Sequence, residues 1–319
     1  MSAADRPLVA VVLAGGTGTR LYPASRSDRP KQFRSFGGDR SLLARTADRV
    51  AFADETVVLT REAFAEEVPD HAPDADVLVE PAPRDTGPAL AFAAARLRER
   101  FDDPVLLCVP SDHHVEGDFE SAAGYGYVEP RREADGYAPV RRFVEKPDSE
   151  TAAELVDGCY WNAGVFAWTA DAFLREARDS PLGPVVAAAN ERETGDERSD
   201  PLAAAVREVD PVSVDYAVME RTDRAYVVPA AFEWDDLGSW DAMDRVLDAD
   251  AGGNAVLGDA LAVDAADNVV ATDGDTHVSV VGADGLAVIA YDDRVLVVPK
   301  DEAQRVREVV EELRGGDAF

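Results

Sequence analysis

The chain has 319 residues, 63 of them acidic and 32 basic, for a net charge of −31. That balance excludes a nucleic-acid backbone or an anionic membrane surface as partner, because both need a basic face. The length allows one large α/β domain and a small second one.

Three of the basic residues are lysines, Lys31, Lys146 and Lys300. A surface rich in Asp and Glu and nearly free of Lys fits adaptation to high salt, where screening weakens self-repulsion. It also makes each retained lysine a candidate for a specific role. The two cysteines, Cys108 and Cys159, make no disulfide framework. Cys108 lies in an apolar run and reads as a small core residue. The first apolar run is too short to span a bilayer and no signal-peptide pattern precedes it, so a cytoplasmic protein is expected.

Leu8 to Ala14 reads as a buried parallel strand. It runs into Gly15-Gly16-Thr17-Gly18-Thr19-Arg20, and Lys31 follows eleven residues after Arg20. A strand that ends in glycines brings bare backbone N–H groups close to an anion, and Arg20 and Lys31 add positive charge, an arrangement that holds a triphosphate. The Walker spacing is absent, and the dinucleotide pattern beginning at Gly16 meets Leu21 where its third glycine belongs. Glycines after a strand can also be a plain tight turn.

Ser41 to Val50 reads as a helix with Ser41 at its N-cap. Strands are expected at Thr56 to Thr60, Ala75 to Glu80 and Val105 to Val109, with an alanine-rich helix over 89–100. The alternation predicts a mostly parallel sheet with ligands at the carboxyl ends of its strands. Glu80 to Ala89 (EPAPRDTGPA) could be a loop capped into the helix by Asp85 or Thr86. Pro110-Ser111-Asp112-His113 ends the strand after residue 105, and read alone its Asp is a turn or cap. Adjacent His113 and His114 would point to opposite faces and are expected to be structural.

Gly124-Tyr125-Gly126-Tyr127 follows closely. Arg141 to Pro147 reads as a strand ending in Glu145-Lys146-Pro147, and then comes Tyr160-Trp161-Asn162-Ala163-Gly164-Val165-Phe166. Bland readings are a salt-bridged strand end and turn chemistry at Asn162. Residues 171–210 read as helical and acidic with a loop at Arg192 to Pro201. In Val212 to Glu220 (VSVDYAVME), Asp215 could be an N-cap. Phe232 to Trp240 (FEWDDLGSW) leads into a helix expected near Trp240. After a composition break at Ala251, short Val- and Ala-rich runs from Val256 to Pro299 separated by Gly, Asp and Asn predict an all-β region. A charged helix, Asp301 to Leu313, follows.

The string L-A-G-G-x-G-x-R-L with R-P-K-Q-F resembles the signature of the sugar-nucleotide pyrophosphorylases. Pro110-Ser111-Asp112-His113 and WNAGVF resemble motifs of the same family, and EPAPRDTGPA, SVDYAVME and WDDLGSW resemble its mannose-1-phosphate guanylyltransferase branch. The resemblance implies a Rossmann-like nucleotide-diphospho-sugar transferase fold over 1–250 and a small β-rich domain over 251–319. It implies the reaction GTP plus mannose 1-phosphate giving GDP-mannose and pyrophosphate. By matching motif positions, Arg20 and Lys31 would be catalytic. Leu13, Ala14, Gly15, Gly16, Gly18, Glu80, Arg84, Thr86 and Gly87 would bind nucleotide. Gly126, Glu145, Lys146, Asn162 and Gly164 would bind the sugar phosphate, and Asp112 and Asp236, rather than Asp235, would hold Mg²⁺. Exposed β-edges in the small domain make a homodimer an expectation.

The chain departs from the pattern with Asp85 for Asn, Gly87 for Ala and Ala123 for Thr. It is also short between residues 115 and 128 by roughly thirty residues, the size of a helix-plus-strand unit. Two other readings stay open, a glucose 1-phosphate uridylyl- or thymidylyltransferase and a non-catalytic paralogue that binds sugar nucleotides.

Overall fold

The structure is a computed structural model. It describes residues 6–36, 38–113, 126–132, 135–155, 158–191, 200–230, 235–273 and 276–314. The shortened stretch and Gly124-Tyr125 lie outside the described residues, as do His114 and 192–199. In chain order the first half holds β1 (Leu8–Leu13), α1 (Leu42–Arg49), β2 (Glu55–Thr60), α2 (Val68–His71), β3 (Asp76–Val79), α3 (Thr86–Arg100) and β4 (Val105–Pro110). Then come β5 (Tyr127–Pro130), β6 (Ala138–Val144), α4 (Ser149–Leu155), β7 (Tyr160–Trp161), β8 (Phe166–Thr169), α5 (Ala170–Ala177), α6 (Gly183–Ala188), α7 (Pro201–Glu208) and β9 (Tyr226–Val227). The last stretch holds β10 (Ala255–Leu257), β11 (Ala260–Val263), β12 (Val269–Thr272), β13 (Val278–Val281), β14 (Leu286–Tyr291), β15 (Arg294–Pro299) and α8 (Val306–Arg314).

The chain packs as two compact units, each drawn from separated stretches. The first takes its described residues from 1–15, 47–110 and 120–231. Its main sheet has the order β3-β2-β1-β4-β8. The first four strands are parallel and β8 is antiparallel to β4. Val9 to Val12 are fully buried, as a central strand covered on both faces requires. Helices α3, α5, α6 and α7 share one core with that sheet, centred on the alanine-rich face of α3, Phe173 and Leu182.

Helix α3 begins three residues before the expected position. Asp85, at φ 71°, turns the chain and accepts the Thr86 N–H at 2.6 Å, so the helix starts at once. A second sheet, β7-β5-β6-β9, is antiparallel throughout.

The second unit takes its described residues from 16–46, 111–119 and 232–319. Strands β10, β12 and β14 pair in parallel with β15 antiparallel at the edge, and β11 pairs in parallel with β13. This is the β-rich region expected, wound as a parallel coil. Buried asparagines close its corners. Asn254 Oδ1 accepts the Asn268 N–H at 3.2 Å and its Nδ2–H at 2.9 Å. Asn268 Oδ1 accepts the Leu286 N–H at 2.9 Å. Each side-chain amide thus replaces a backbone bond missing at a corner.

Two expected helices change form. The helix near Trp240 is a six-residue 3-10 turn, Trp240–Arg245. The final helix begins as a 3-10 turn, Lys300–Arg305, before α8. Ser41 does cap α1, its Oγ accepting the Ala44 N–H at 3.1 Å. Among the described residues no helix is long and apolar enough to cross a membrane.

Candidate active site

In the second unit the glycine-rich turn leads to Gly18, whose φ of 61° favours glycine. A Cβ there would stand 2.5 Å from the Lys31 Cβ. Gln32 Nε2 donates to Gly16 O at 3.0 Å and Ser25 Oγ to Thr17 O at 2.6 Å, so the turn is tied to the segment that carries Lys31. Arg20 rides on a 3-10 turn, Thr19–Leu21, anchored by buried Leu21, and its own side chain is half exposed.

Lys31 opens a second 3-10 turn after Pro30 and is 4 % exposed. Its ammonium donates to the Asp236 carbonyl oxygen and lies 3.3 Å from Asp112 Oδ2. Arg20 Nη2 is 3.9 Å from Asp236 Oδ2. Four residues expected at the reaction centre thus meet in one cluster. Burial raises the Asp112 carboxyl, but Lys31 and His113 outweigh burial and hold it below the ordinary carboxylate range.

The neighbouring acid Asp235 is buried and otherwise engaged. Its Oδ2 is 2.6 Å from Arg245 and its Oδ1 accepts the Leu237 N–H at 2.7 Å. Asp112 and Asp236 offer hard oxygen donors beside a single ammonium, a donor set that fits Mg²⁺, which takes one or two carboxylates and fills its shell with phosphate oxygens and water. Among the described residues no group of three acidic, His or Cys side chains is gathered.

The first unit holds two further clusters. At the end of β1, Leu13 pairs with Leu59 and Pro110. The Ala14 N–H donates to Leu59 O at 2.8 Å, and its carbonyl accepts the Thr60 hydroxyl at 2.9 Å. A Cβ on Gly15 would stand 2.7 Å from Glu80 Oε1. Glu80 is 8 % exposed. Burial raises its carboxyl and Arg61, 3.5 Å away, opposes the rise in part. Arg61 carries no sequence motif, and only folding brings it to Glu80.

Arg84, Thr86 and Gly87 are engaged in a tether. Arg84 donates to Arg207 O, Thr86 Oγ1 accepts the Val214 N–H at 3.0 Å, and the Gly87 N–H meets Val212 O at 3.0 Å.

The tether leads along 212–215 into the third cluster. Glu145, at 8 % exposure, takes the Lys146 ammonium on Oε1, while its Oε2 is buried without a hydrogen-bond partner among the described residues. Gly126 sits so close that a Cβ would collide with that orphan oxygen. The Gly126 carbonyl accepts the Asn162 N–H at 2.7 Å. Asn162 Oδ1 accepts the Gly164 N–H at 3.0 Å, and its Nδ2 donates to Asp215 Oδ1 at 2.9 Å.

Asp215 is therefore not an N-cap. It opens a π-turn, Asp215–Met219, closed by the Glu220 N–H to Asp215 O at 2.9 Å. That five-residue spacing brings Glu220 back to accept the Glu145 N–H at 2.9 Å, and the Tyr216 hydroxyl donates to Glu145 O at 3.3 Å. Burial and then the Glu145 charge push the Asp215 carboxyl up to about 6, with Asn162 and Lys146 opposing. Burial alone would lower the Lys146 ammonium, but Glu145 outweighs it and the pKa is raised. The signal for Asp215 and Glu220 was the spacing of two acids by five, which a 3.6-residue reading does not place on one face.

The family model described as Nucleotidyl transferase matches residues 9–123 and 118–252, and the MannoseP isomerase/GMP-like beta-helix domain matches 258–313. The two parts of the first match meet at 118–123, inside the stretch where the sequence is short. The alginate biosynthesis protein AlgA of Pseudomonas aeruginosa is 34% identical over 351 residues, covering 96% of this chain and 72% of AlgA. The mannose-1-phosphate guanylyltransferase RfbM of Salmonella typhimurium is 33% identical over 352 residues, with 96% and 72% covered.

A crystal structure from Thermus thermophilus, described as a mannose-1-phosphate geranyltransferase, superposes with a TM-score of 0.87 at 32% identity, covering 97% of this chain and 99% of that one. The chain belongs to the nucleotidyl transferase family and is an enzyme of the sugar-phosphate nucleotidyltransferase type.

Proposed function

We propose that the chain transfers a guanylyl group from GTP to mannose 1-phosphate, giving GDP-mannose and pyrophosphate. The observation that carries the chemistry is the buried Lys31 ammonium beside Asp112 and Asp236, with Arg20 at the Asp236 carboxylate. The choice of GTP and mannose 1-phosphate rests on the names of the relatives and on the motifs they share with this chain.

A phosphate oxygen of the sugar phosphate attacks the α-phosphorus in line. The new P–O bond forms as the bond to the bridging oxygen breaks, and pyrophosphate leaves with that electron pair. No side-chain nucleophile is needed, so catalysis is positioning and electrostatics. Lys31, 4 % exposed, acts in a low-dielectric setting where one positive charge is strong. Arg20, half exposed beside the Asp236 carboxylate, meets the charge that develops on the leaving pyrophosphate.

Asp112 and Asp236 would hold Mg²⁺, which supplies Lewis-acid polarisation of phosphoryl oxygens when bound. In the sugar cluster the orphan Glu145 Oε2 accepts a sugar hydroxyl and Asn162 orients it, while Lys146 pairs with the sugar phosphate. Glu80 and the backbone at Gly15 receive the base.

The test is pyrophosphate release with GTP, Mg²⁺ and mannose 1-phosphate in molar salt, beside UTP, dTTP, ATP and glucose 1-phosphate. Release confined to GTP with mannose 1-phosphate is expected. Release with another pair keeps the mechanism and overturns the substrates. A folded protein that binds GDP-mannose without turnover overturns catalysis.

A further inference from the structure

The 3-10 turn that delivers Lys31 is held from outside its own segment. Arg26 and Arg29 close a tight turn on each other, Arg26 N–H to Arg29 O at 3.0 Å and the reverse at 3.1 Å. Pro30 and Lys31 follow directly. Both guanidinium groups then converge on one carboxylate. Arg26 Nη2 lies 2.6 Å from Asp292 Oδ2, and Arg29 Nη1 lies 2.5 Å from both Asp292 oxygens.

Asp292 stands at the tip of the β14–β15 hairpin with φ 52°, a two-residue turn that Asp tolerates, and its N–H donates to Asp273 Oδ2 at 2.8 Å. Arg26 is 10 % exposed at the side chain and Asp292 29 %, so that pair is partly withdrawn from water and from screening. Burial raises the Asp292 carboxyl, but Arg29, Arg26 and Arg34 outweigh burial and keep it below the ordinary range.

The apolar packing has the same layout. Leu21, Tyr22, Ala24, Phe36 and Leu42 from the loop segment share one core with Ile289, Tyr291, Leu296, Val306 and Val310 from the β-rich region and its helix. Trp240, four residues after Asp236, donates Nε1–H to Tyr22 O at 2.8 Å, and Gln304 Nε2 donates to Ser239 Oγ at 2.7 Å. Every segment of this core that carries a group of the Lys31 cluster is thus bonded either to the β-rich region or to its neighbour in the cluster.

We infer that Asp292 is a positioning residue for the transfer reaction. Through Arg26 and Arg29 the β14–β15 hairpin sets where Lys31 stands, and the β-rich region is a working part of the catalytic centre. This inference rests on Lys31 being the catalytic cation. Displacing such a group by about 1 Å can cost on the order of a hundredfold in rate. Asp292 acts through Arg26 and Arg29, so its loss is expected to fall on kcat and to leave substrate affinity in place.

The experiment compares Asp292→Asn, Arg29→Gln, Arg29→Lys and the double variant Asp292→Asn/Arg29→Gln with the wild-type chain. Each is assayed on whichever nucleotide and sugar phosphate give turnover, with circular dichroism as a check of folding. Arg29→Gln, on a side chain that is 44 % exposed, keeps the test open if Asp292→Asn folds poorly. Asp292→Asn and Arg29→Gln are each expected to lower kcat about tenfold with both KM values within about twofold, a fraction of the full misplacement cost. The double variant should lose no more than either single one, and Arg29→Lys should recover most of the rate.

Normal kcat in folded Asp292→Asn, or losses that add in the double variant, overturn the inference. Lys31→Met separates the two readings. Full turnover there overturns the mechanism and this inference together. Lost turnover there beside normal Asp292→Asn overturns this inference alone.

Discussion

The Lys31 cluster and the Glu145 cluster each set a lysine among acids, and Asp112 in one and Asp215 in the other shift in opposite ways. Lys31 stands beside Asp112 and at the backbone of Asp236, and it keeps the Asp112 carboxyl below its ordinary range despite burial. In the other unit Lys146 stands at Glu145, and burial followed by the Glu145 charge raises the Asp215 carboxyl to about 6, with the Asn162 amide opposing. At Asp112 the cation outweighs burial, whereas at Asp215 burial and the Glu145 charge outweigh Lys146. A cluster whose cation keeps Asp112 below its ordinary range suits metal and phosphate. A cluster holding one protonatable acid and one orphan carboxylate oxygen suits hydroxyl groups, which both donate and accept.

The largest effect should come from removing the shared cation. Lys31→Met is expected to lower kcat by about a hundredfold or more, as loss of a preorganised charge does, with the circular dichroism spectrum unchanged. Asp112→Asn should fall by a similar factor. Retained turnover in either variant would break the contrast between the clusters.

The pair Asp235 and Asp236 sharpens it next. Asp236→Asn should cost turnover and little stability. Asp235→Asn should do the reverse, costing about 2 kcal/mol in urea unfolding because it leaves the Arg245 guanidinium without its buried partner. Equal activity losses in the two variants would erase the distinction between them.

A smaller effect is expected at Asp215. Its folded pKa of about 6 lies above the ordinary aspartate value of 3.8. The stabilisation is therefore complete below pH about 4 and is lost as pH rises through about 6. Asp215→Asn cannot ionise. Its stability in urea unfolding should match the wild type near pH about 4 and exceed it above pH about 6, by an amount on the order of 1–2 kcal/mol. A constant difference across that range would remove Asp215 as the protonatable acid. The smallest effect is Gly126→Ala, whose Cβ displaces Glu145 Oε2. The KM for the sugar phosphate should rise about fivefold, the worth of one hydrogen bond, with the nucleotide KM unchanged.

Much of this was readable from the chain itself. Leu8 to Ala14, the glycines after it, Arg20, Lys31 and the acid at a strand end sit in local patterns whose periodicity and turn chemistry are short-range properties. The same holds for α1 with its Ser41 cap and for the β-rich tail, whose Asn and Gly corners recur along the sequence. Tertiary structure decided the rest, because it depends on side chains far apart in the chain. It turned Asp215 from a candidate cap into a partner of Asn162, across 53 residues. It set Arg61 beside Glu80, and Asp292 beside Arg26 and Arg29 more than 260 residues away. It also placed residues 16–46 in one compact unit with the β-rich tail. Local patterning specifies which residues can do chemistry. Only long-range packing, which fixes charges and burial together, specifies the state in which each one is held.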